Sequence, residues 1–170
     1  MQDERADHAT RRRPLRDRVS FLTHRINARL VQLCNPVIAP LKLDLYSSRI
    51  IVALAEGGPM GVGALVELMA LPQSTVSHQL KRLDADGYVR RDRSNADNRA
   101  VVITLTERGM EVAETCNRLS DTILASIGDE LSREELDHLT ALLQRVFDSL
   151  PSEAEMAARM PVEDSAGQRR

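Results

Sequence analysis

Aromatic side chains are nearly missing from this 170-residue chain: Phe21, Tyr46, Tyr88 and Phe147 make up 2% of it, and tryptophan is absent. With hydrophobic residues at 42%, a core has to be built from Leu, Val, Ile, Ala and Met, a mixture that favours helices. No apolar run approaches the ~18–20 residues that cross a bilayer, so no membrane span is expected. The N-terminal MQDERADHATRRRPLRDR has no apolar stretch behind its basic residues and does not read as a secretory signal. Cysteine is scarce too. Cys34 and Cys116 lie far apart and form no C-x-x-C, the usage of a reducing compartment, so the expected location is cytoplasmic. His24, His78 and His138 have no nucleophile or carboxylate at triad spacing, no H-E-x-x-H occurs, and Gly57-Gly58 is too short for a phosphate loop. The scattered His and Cys match no zinc spacing. The expectation is a non-enzyme with no metal and no cofactor.

A formal net charge of −2 conceals an uneven distribution. Residues 5–18 carry a net +4, residues 73–99 a net +2, and the chain from 106 onward is acidic. An acidic average therefore does not exclude a nucleic-acid partner, because phosphate contacts depend on where cations point.

Apolar spacing at Val19, Leu22, Ile26, Leu30 and Leu33 predicts a first helix, entered at Pro14 and ending near Asn35-Pro36. A second helix is predicted over about 44–56, and a short third one over Val62–Met69 that stops at Leu71-Pro72. QSTVSHQLKRLDADG is the fourth, with Gly87 at its end. From Tyr88 the period changes to two. Val89 and then Val101, Ile103 and Leu105 alternate around the turn residues SNADN, which predicts a hairpin. Thr106 caps a fifth helix running to about Gly128, and Ser132 with Glu135 forms a capping box for a sixth, whose Leu136, Leu139, Leu143, Val146 and Leu150 step by 3, 4, 3 and 4. Beyond Pro151 a frayed tail is expected. The fold class is thus mostly α with a small β-hairpin. Its regions read as a basic N-terminal tail over 1–13, helical segments over 14–42 and 106–150 with an apolar stripe seeking a partner, a helix-and-hairpin domain over 43–105, and a flexible tail over 151–170.

On a helical wheel, Val76, Leu80 and Leu83 fall in one sector of the fourth helix, while Ser74, Ser77, His78 and Lys81 fall opposite, flanked by Arg82. A helix that is merely solvated usually mixes Glu with Lys. This face is small, polar and cationic with no acid before Asp84, as suits a major groove, though an ordinary surface with few acids reads the same way in isolation. Its neighbours strengthen the first reading: short helix, Pro-containing turn and this helix form a helix-turn-helix. The hairpin that follows places Arg90, Arg91 and Arg93 on its first strand and exit, and Arg99 at entry to the second. Guanidinium groups on a projecting loop can enter a minor groove, and Asp97 is placed to orient Arg99 beforehand; a bare surface Asp–Arg pair is the alternative.

STVSHQLKRLDADGYVRR together with DNRAVVITLTERG resembles the winged helix-turn-helix of the multiple antibiotic resistance regulator (MarR) family. The likeness covers roughly residues 15–150 and is densest over 44–112. It implies a homodimer that binds a palindromic operator, with Arg99 as the minor-groove arginine, Asp97 as its orienter, and Ser74, Thr75, Ser77, His78 and Lys81 facing the groove. Asn95 and Asn98 depart from the family's P-x-D-R-R wing, which removes one arginine. The apolar seam over Leu136–Leu150 seeks another helix, within the chain or across a two-fold axis. The resemblance further implies a regulator, most simply a repressor, released from DNA by a small, aromatic or anionic effector. His24, Arg25, Tyr46, Ser47 and Arg49 are candidates to line its crevice, unless the arginines are surface ion-pair partners and Tyr46 is core. The alternatives left open are a thiol-based redox sensor acting through Cys34 or Cys116, a sensor like the arsenic-repressor (ArsR) family, and a protein-docking winged helix.

Overall fold

The computed structural model describes residues 13–93 and 101–160, with the backbone alone at Arg93. The described residues divide into two compact units, one up to Asp121 and the other from Thr122.

In the first unit, helix α1 spans Val19–Ile38, α2 Leu45–Gly57, α3 Val62–Met69 and α4 Gln73–Ala85. Strands β1 (Met60–Gly61), β2 (Val89–Arg93) and β3 (Val101–Leu105) make an antiparallel sheet in the order β1-β3-β2. Helix α5, Glu107–Gly128, begins in this unit and runs past its boundary. The core is aliphatic, as the shortage of aromatics requires: Ile38, Ile50, Ile51, Leu65, Val76, Leu80, Leu83 and Ile103 are all but sealed from solvent. Tyr88 is the aromatic exception. Its ring is buried, its hydroxyl donates to the Leu41 carbonyl at 3.0 Å, and the Arg108 guanidinium lies 4.8 Å above the ring centre.

Local chemistry accounts for most boundaries. Asp44 and Ser47 close a reciprocal capping box on α2, with Ser47 N–H donating to Asp44 Oδ1 at 2.8 Å and Asp44 N–H donating to Ser47 Oγ at 2.9 Å. Helix α4 ends at Gly87, whose φ of +76° places it in the left-handed region. Tyr88 N–H then reaches back to the Leu83 carbonyl and Gly87 N–H to that of Asp84, the double bond of a Schellman ending. Thr106 starts α5 as expected, its Oγ1 accepting from Gly109 N–H at 3.0 Å.

Four details differ from expectation. Pro14 leads into a single 3₁₀ turn, Leu15–Asp17, and α1 proper starts only after the extended Arg18. Helix α1 does not stop at Asn35-Pro36 but runs through the proline to Ile38. Pro36 and Gln32 are both exposed, so the carbonyl that loses its partner can face water. The chain turns later, through Ala39–Leu41 and Lys42 with its φ of +56°. Met60–Gly61 pairs with Val102 and Ile103 as a third strand, too short to leave a periodic signal.

The second unit contains the end of α5, helix α6 (Arg133–Asp148) and helix α7 (Glu153–Arg159). Ser132 and Glu135 form the expected box at α6. Helix α7 corrects the expectation of a frayed tail directly after Pro151. Ser152 and Glu155 repeat the same box, and Ala154, Ala157 and Ala158 favour helix over the following turns. In this unit Leu139, Leu142, Leu143, Val146, Phe147 and Leu150 remain exposed.

Candidate nucleic-acid interface

Helix α4 is anchored on one side and open on the other. Val76, Gln79, Leu80 and Leu83 are buried, whereas Ser74, His78 and Lys81 are exposed and Thr75 and Ser77 half-buried. The wheel's division of the helix therefore holds, with Gln79 as a polar residue on the inner face. The side chains of Ser74, Thr75, Ser77, His78 and Lys81 make no hydrogen bond or ion pair among the described residues, so each is available to an external partner. Pro72, in an extended conformation, precedes α4, and no side chain caps the helix. Its first N–H groups and the positive end of its dipole stay unsatisfied by side chains, an arrangement that suits a phosphate.

Across the turn from α4 lies the base of the hairpin. Val89 pairs with Leu105, and the ladder continues to Arg93 opposite Val101. Residues 94–100 lie outside the described residues, and with them Asp97 and Arg99; of Arg93 only the backbone position at the strand's exit is described. The remaining strand arginines have local partners. Arg90 Nε donates to Asp92 Oδ2 at 2.7 Å, and Arg91 Nε lies 3.8 Å from Asp84. Asp92 is held below the usual carboxylate range, first by the Arg90 hydrogen bond and then by Thr104. These exposed pairs direct the side chains more than they stabilise the fold.

Arg82 stands apart from the other candidates. Its Nη1 donates to Asp44 Oδ2 at 3.1 Å and to Gln79 Oε1 at 3.2 Å, and its Nη2 donates to the Lys42 carbonyl at 3.0 Å. Two of its three nitrogens are thus committed inside the first unit. Burial would raise the Asp44 carboxyl, but hydrogen bonds from Ser47 N–H, the Gln79 and Ser47 side chains and Arg82 outweigh it and hold the group below its ordinary value.

The five proposed effector-site residues separate. Tyr46 is half-buried on α2, and its hydroxyl accepts from Asn27 Nδ2 of α1 at a long 3.5 Å, which brings in a residue that periodicity did not single out. His24, stacked on Phe21 with ring centres 6.3 Å apart, is exposed, as are Arg25 and Arg49. Ser47 does not belong with them. It is buried, and its N–H and hydroxyl are both committed to the α2 cap. Cys34 and Cys116 are free and buried, and burial pushes both thiols up, offset at Cys34 only in part by Arg49. Thiolate, the reactive form, is correspondingly scarce. Asp44 and Gln79 are the residues that sequence reasoning missed. An acid directly before an apolar helix and a glutamine inside an apolar sector were the available signals.

Residues 32–116 match the family described as transcriptional regulator SarA/Rot. The HTH-type transcriptional regulator SarZ of Staphylococcus haemolyticus is 26% identical over 133 residues, 78% of this chain and 89% of SarZ. Among solved structures, Bordetella bronchiseptica BpsR, whose DNA binding is regulated by 6-hydroxynicotinic acid, superposes with a TM-score of 0.65 at 26% identity, over 75% of this chain and 97% of BpsR. The MepR protein of S. aureus, in complex with DNA, shares the fold with a TM-score of 0.70 at 19% identity, over 79% of this chain and 97% of MepR.

Proposed function

The chain belongs to the SarA/Rot transcriptional regulators, with a winged helix of MarR type, and on that premise we propose that it works as a homodimer occupying a palindromic operator until a small molecule releases it. The observation that carries this reading is the free, cationic outer face of α4, Ser74 to Lys81, next to the base of an arginine-bearing hairpin. Ser, Thr and Lys on such a face reach base edges and phosphates, while Arg93 and Arg99 supply the wing, with Asp97 orienting Arg99.

Dimerisation is supported by apolar side chains with no cover. On α1, Leu22, Ile26, Leu33 and Val37 are exposed, and in the second unit so are Leu139, Leu143 and Val146. Patches of that kind on a soluble chain mark an interface. A two-fold dimer would set its two recognition helices about 34–36 Å apart, one turn of DNA.

The effector reading assigns a small aromatic or anionic molecule to the neighbourhood of His24, Arg25, Tyr46 and Arg49, where exposed guanidinium groups can take a carboxylate bidentately. The aromatic acid that regulates BpsR is of that class. Repression is the simpler mode, since occupancy alone blocks a promoter. The thiol-switch alternative is weakened by the burial of both cysteines.

Selection of DNA from a random duplex pool, followed by mobility-shift titration, tests the reading. With about three to five phosphates neutralised per protomer, log K should fall with log salt with a slope of roughly −5 to −9. Lys81→Ala, which removes one contact from each protomer, should make that slope shallower by about two, and Arg99→Ala should weaken operator binding strongly with the dimer intact. Unchanged affinity in both variants would refute the interface.

A further inference from the structure

Apolar packing sets a helix's crossing angle through side-chain shape, and hydrogen bonds, which are directional, define its roll and register further. Helix α4 has a polar tether along the flank between its buried face and its free face. Asp44 Oδ2 accepts from Gln79 Nε2 at 3.0 Å and from Arg82 Nη1 at 3.1 Å, while Asp44 Oδ1 is held by the α2 cap. Arg82 Nη2 donates to the carbonyl of Lys42, and the Lys42 ammonium reaches Asp86 beyond the end of α4 at 2.9 Å. The same junction is tied to α1, since Leu45 N–H donates to Asn35 Oδ1 at 2.9 Å. Residues 79, 82 and 86 step by 3 and 4, so the tethers run down one stripe of the recognition helix and its exit.

We propose that Arg82 is a positioning residue: through Asp44 and the Lys42 carbonyl it sets the roll and axial register of α4, and so the reach of Ser74, His78 and Lys81 into the groove, without itself touching DNA. This rests on the reading that α4 enters the groove. A guanidinium suits the task because its planar fork serves a carboxylate, an amide oxygen and a backbone carbonyl from fixed directions at once, which a lysine ammonium cannot reproduce. Gln79 completes the arrangement. It donates to Asp44 and accepts from Arg82, so each member of the triad is bonded to the other two.

The experiment compares wild type, Arg82→Lys, Arg82→Met and Asp44→Asn, each confirmed folded by thermal melting. The probes are the duplex that wild type selects and a random duplex of equal length, titrated across salt. Asparagine keeps an acceptor for the α2 cap, so Asp44→Asn removes the tether's charge with little harm to the helix start. Expected are operator affinities about tenfold weaker for Arg82→Lys and Asp44→Asn alike, with random-duplex affinity and salt slope as in wild type. If Arg82 instead contacts phosphate, Arg82→Lys binds like wild type and Arg82→Met, which removes one contact from each protomer, loses about two from the slope on both duplexes. That result overturns the proposal, as does operator affinity unchanged in Asp44→Asn, while either leaves the DNA-binding reading standing. A wild-type protein that selects no sequence removes that reading and the proposal together.

Discussion

Replacing Gly109 by alanine should destabilise the first unit although it places a better helix former inside a helix. Gly109 lies in the first turn of α5, buried against the start of β2, and a Cβ built there would collide with the Tyr88 carbonyl and lie 3.0 Å from Leu105 Cδ2. The obstacle is backbone, fixed from both sides: the Tyr88 carbonyl accepts from Thr106 N–H at 3.1 Å, and the Tyr88 ring is buried. Alanine's propensity advantage over glycine is at most about 1 kcal/mol. Overpacking against an unyielding neighbour costs about 1–3 kcal/mol, and moving α5 aside would also strain the bond from Gly109 N–H to Thr106 Oγ1. The clash should outweigh the propensity gain by up to about 2 kcal/mol. Gly63→Ala is the matched control. It lies early in α3 with open space around its Cβ position, so the same change should be neutral or stabilising by up to about 1 kcal/mol. Urea unfolding of both variants, compared by midpoint at constant slope, decides the matter. A Gly109→Ala midpoint at or above wild type would refute the packing argument.

Leu143→Asp should leave the chain folded, since that side chain is already exposed, but shift sedimentation towards monomer and weaken operator binding; an unaltered dimer would place the interface elsewhere. Asp44 gives a pH dependence. Its carboxyl lies below the ordinary value in the folded state, so its contribution is fully present above the unfolded-state pKa of about 4 and fades as pH falls through the folded value. Asp44→Asn should therefore flatten the acid limb of a stability–pH curve below about pH 5, and a limb as steep as wild type's would contradict it. Ser152→Ala should cost α7 about 1 kcal/mol through loss of its cap, seen as faster amide exchange over residues 153–159 with the first unit unaffected.

What was legible in the sequence was local. Periodicity marked the helices from Val19 to Asp148, and Gly87 and Thr106 marked the junctions around the hairpin, because caps and amphipathic faces act over three to five residues. The outer face of α4 could be read for the same reason: once Val76, Leu80 and Leu83 define the inside, Ser74, His78 and Lys81 have only the outside left. Pro36 misled because the cost of a proline inside a helix, a lost N–H bond and a ring crowding the carbonyl four residues back, is eased where that carbonyl can face water, a property of surroundings and not of composition. Ser47 misled similarly. Its neighbours Tyr46 and Arg49 suggested a crevice, yet a serine three residues after Asp44 at a helix start is a capping residue, and that short-range signal outweighs the positional one.

Arg82 shows what reading by residue type does not reveal, namely its partners within the fold. An arginine beside a cationic helix face looks like one more phosphate contact, and the only local hint otherwise is Gln79 in the apolar sector three residues earlier. Its other partners come from residues 42 and 44, about forty positions earlier, and they converge because α2 and α4 pack through Leu54, Ile50, Val76 and Leu80 in one shared core. The aliphatic core therefore does two things for recognition. It orients α4 coarsely by excluding water from one side, and it brings the Asp44 carboxylate within 3.1 Å of a guanidinium that can refine that orientation. A bond to a charged group weakens steeply once bent or stretched, so on the proposed reading the polar junction adds angular accuracy to the orientation that packing already sets.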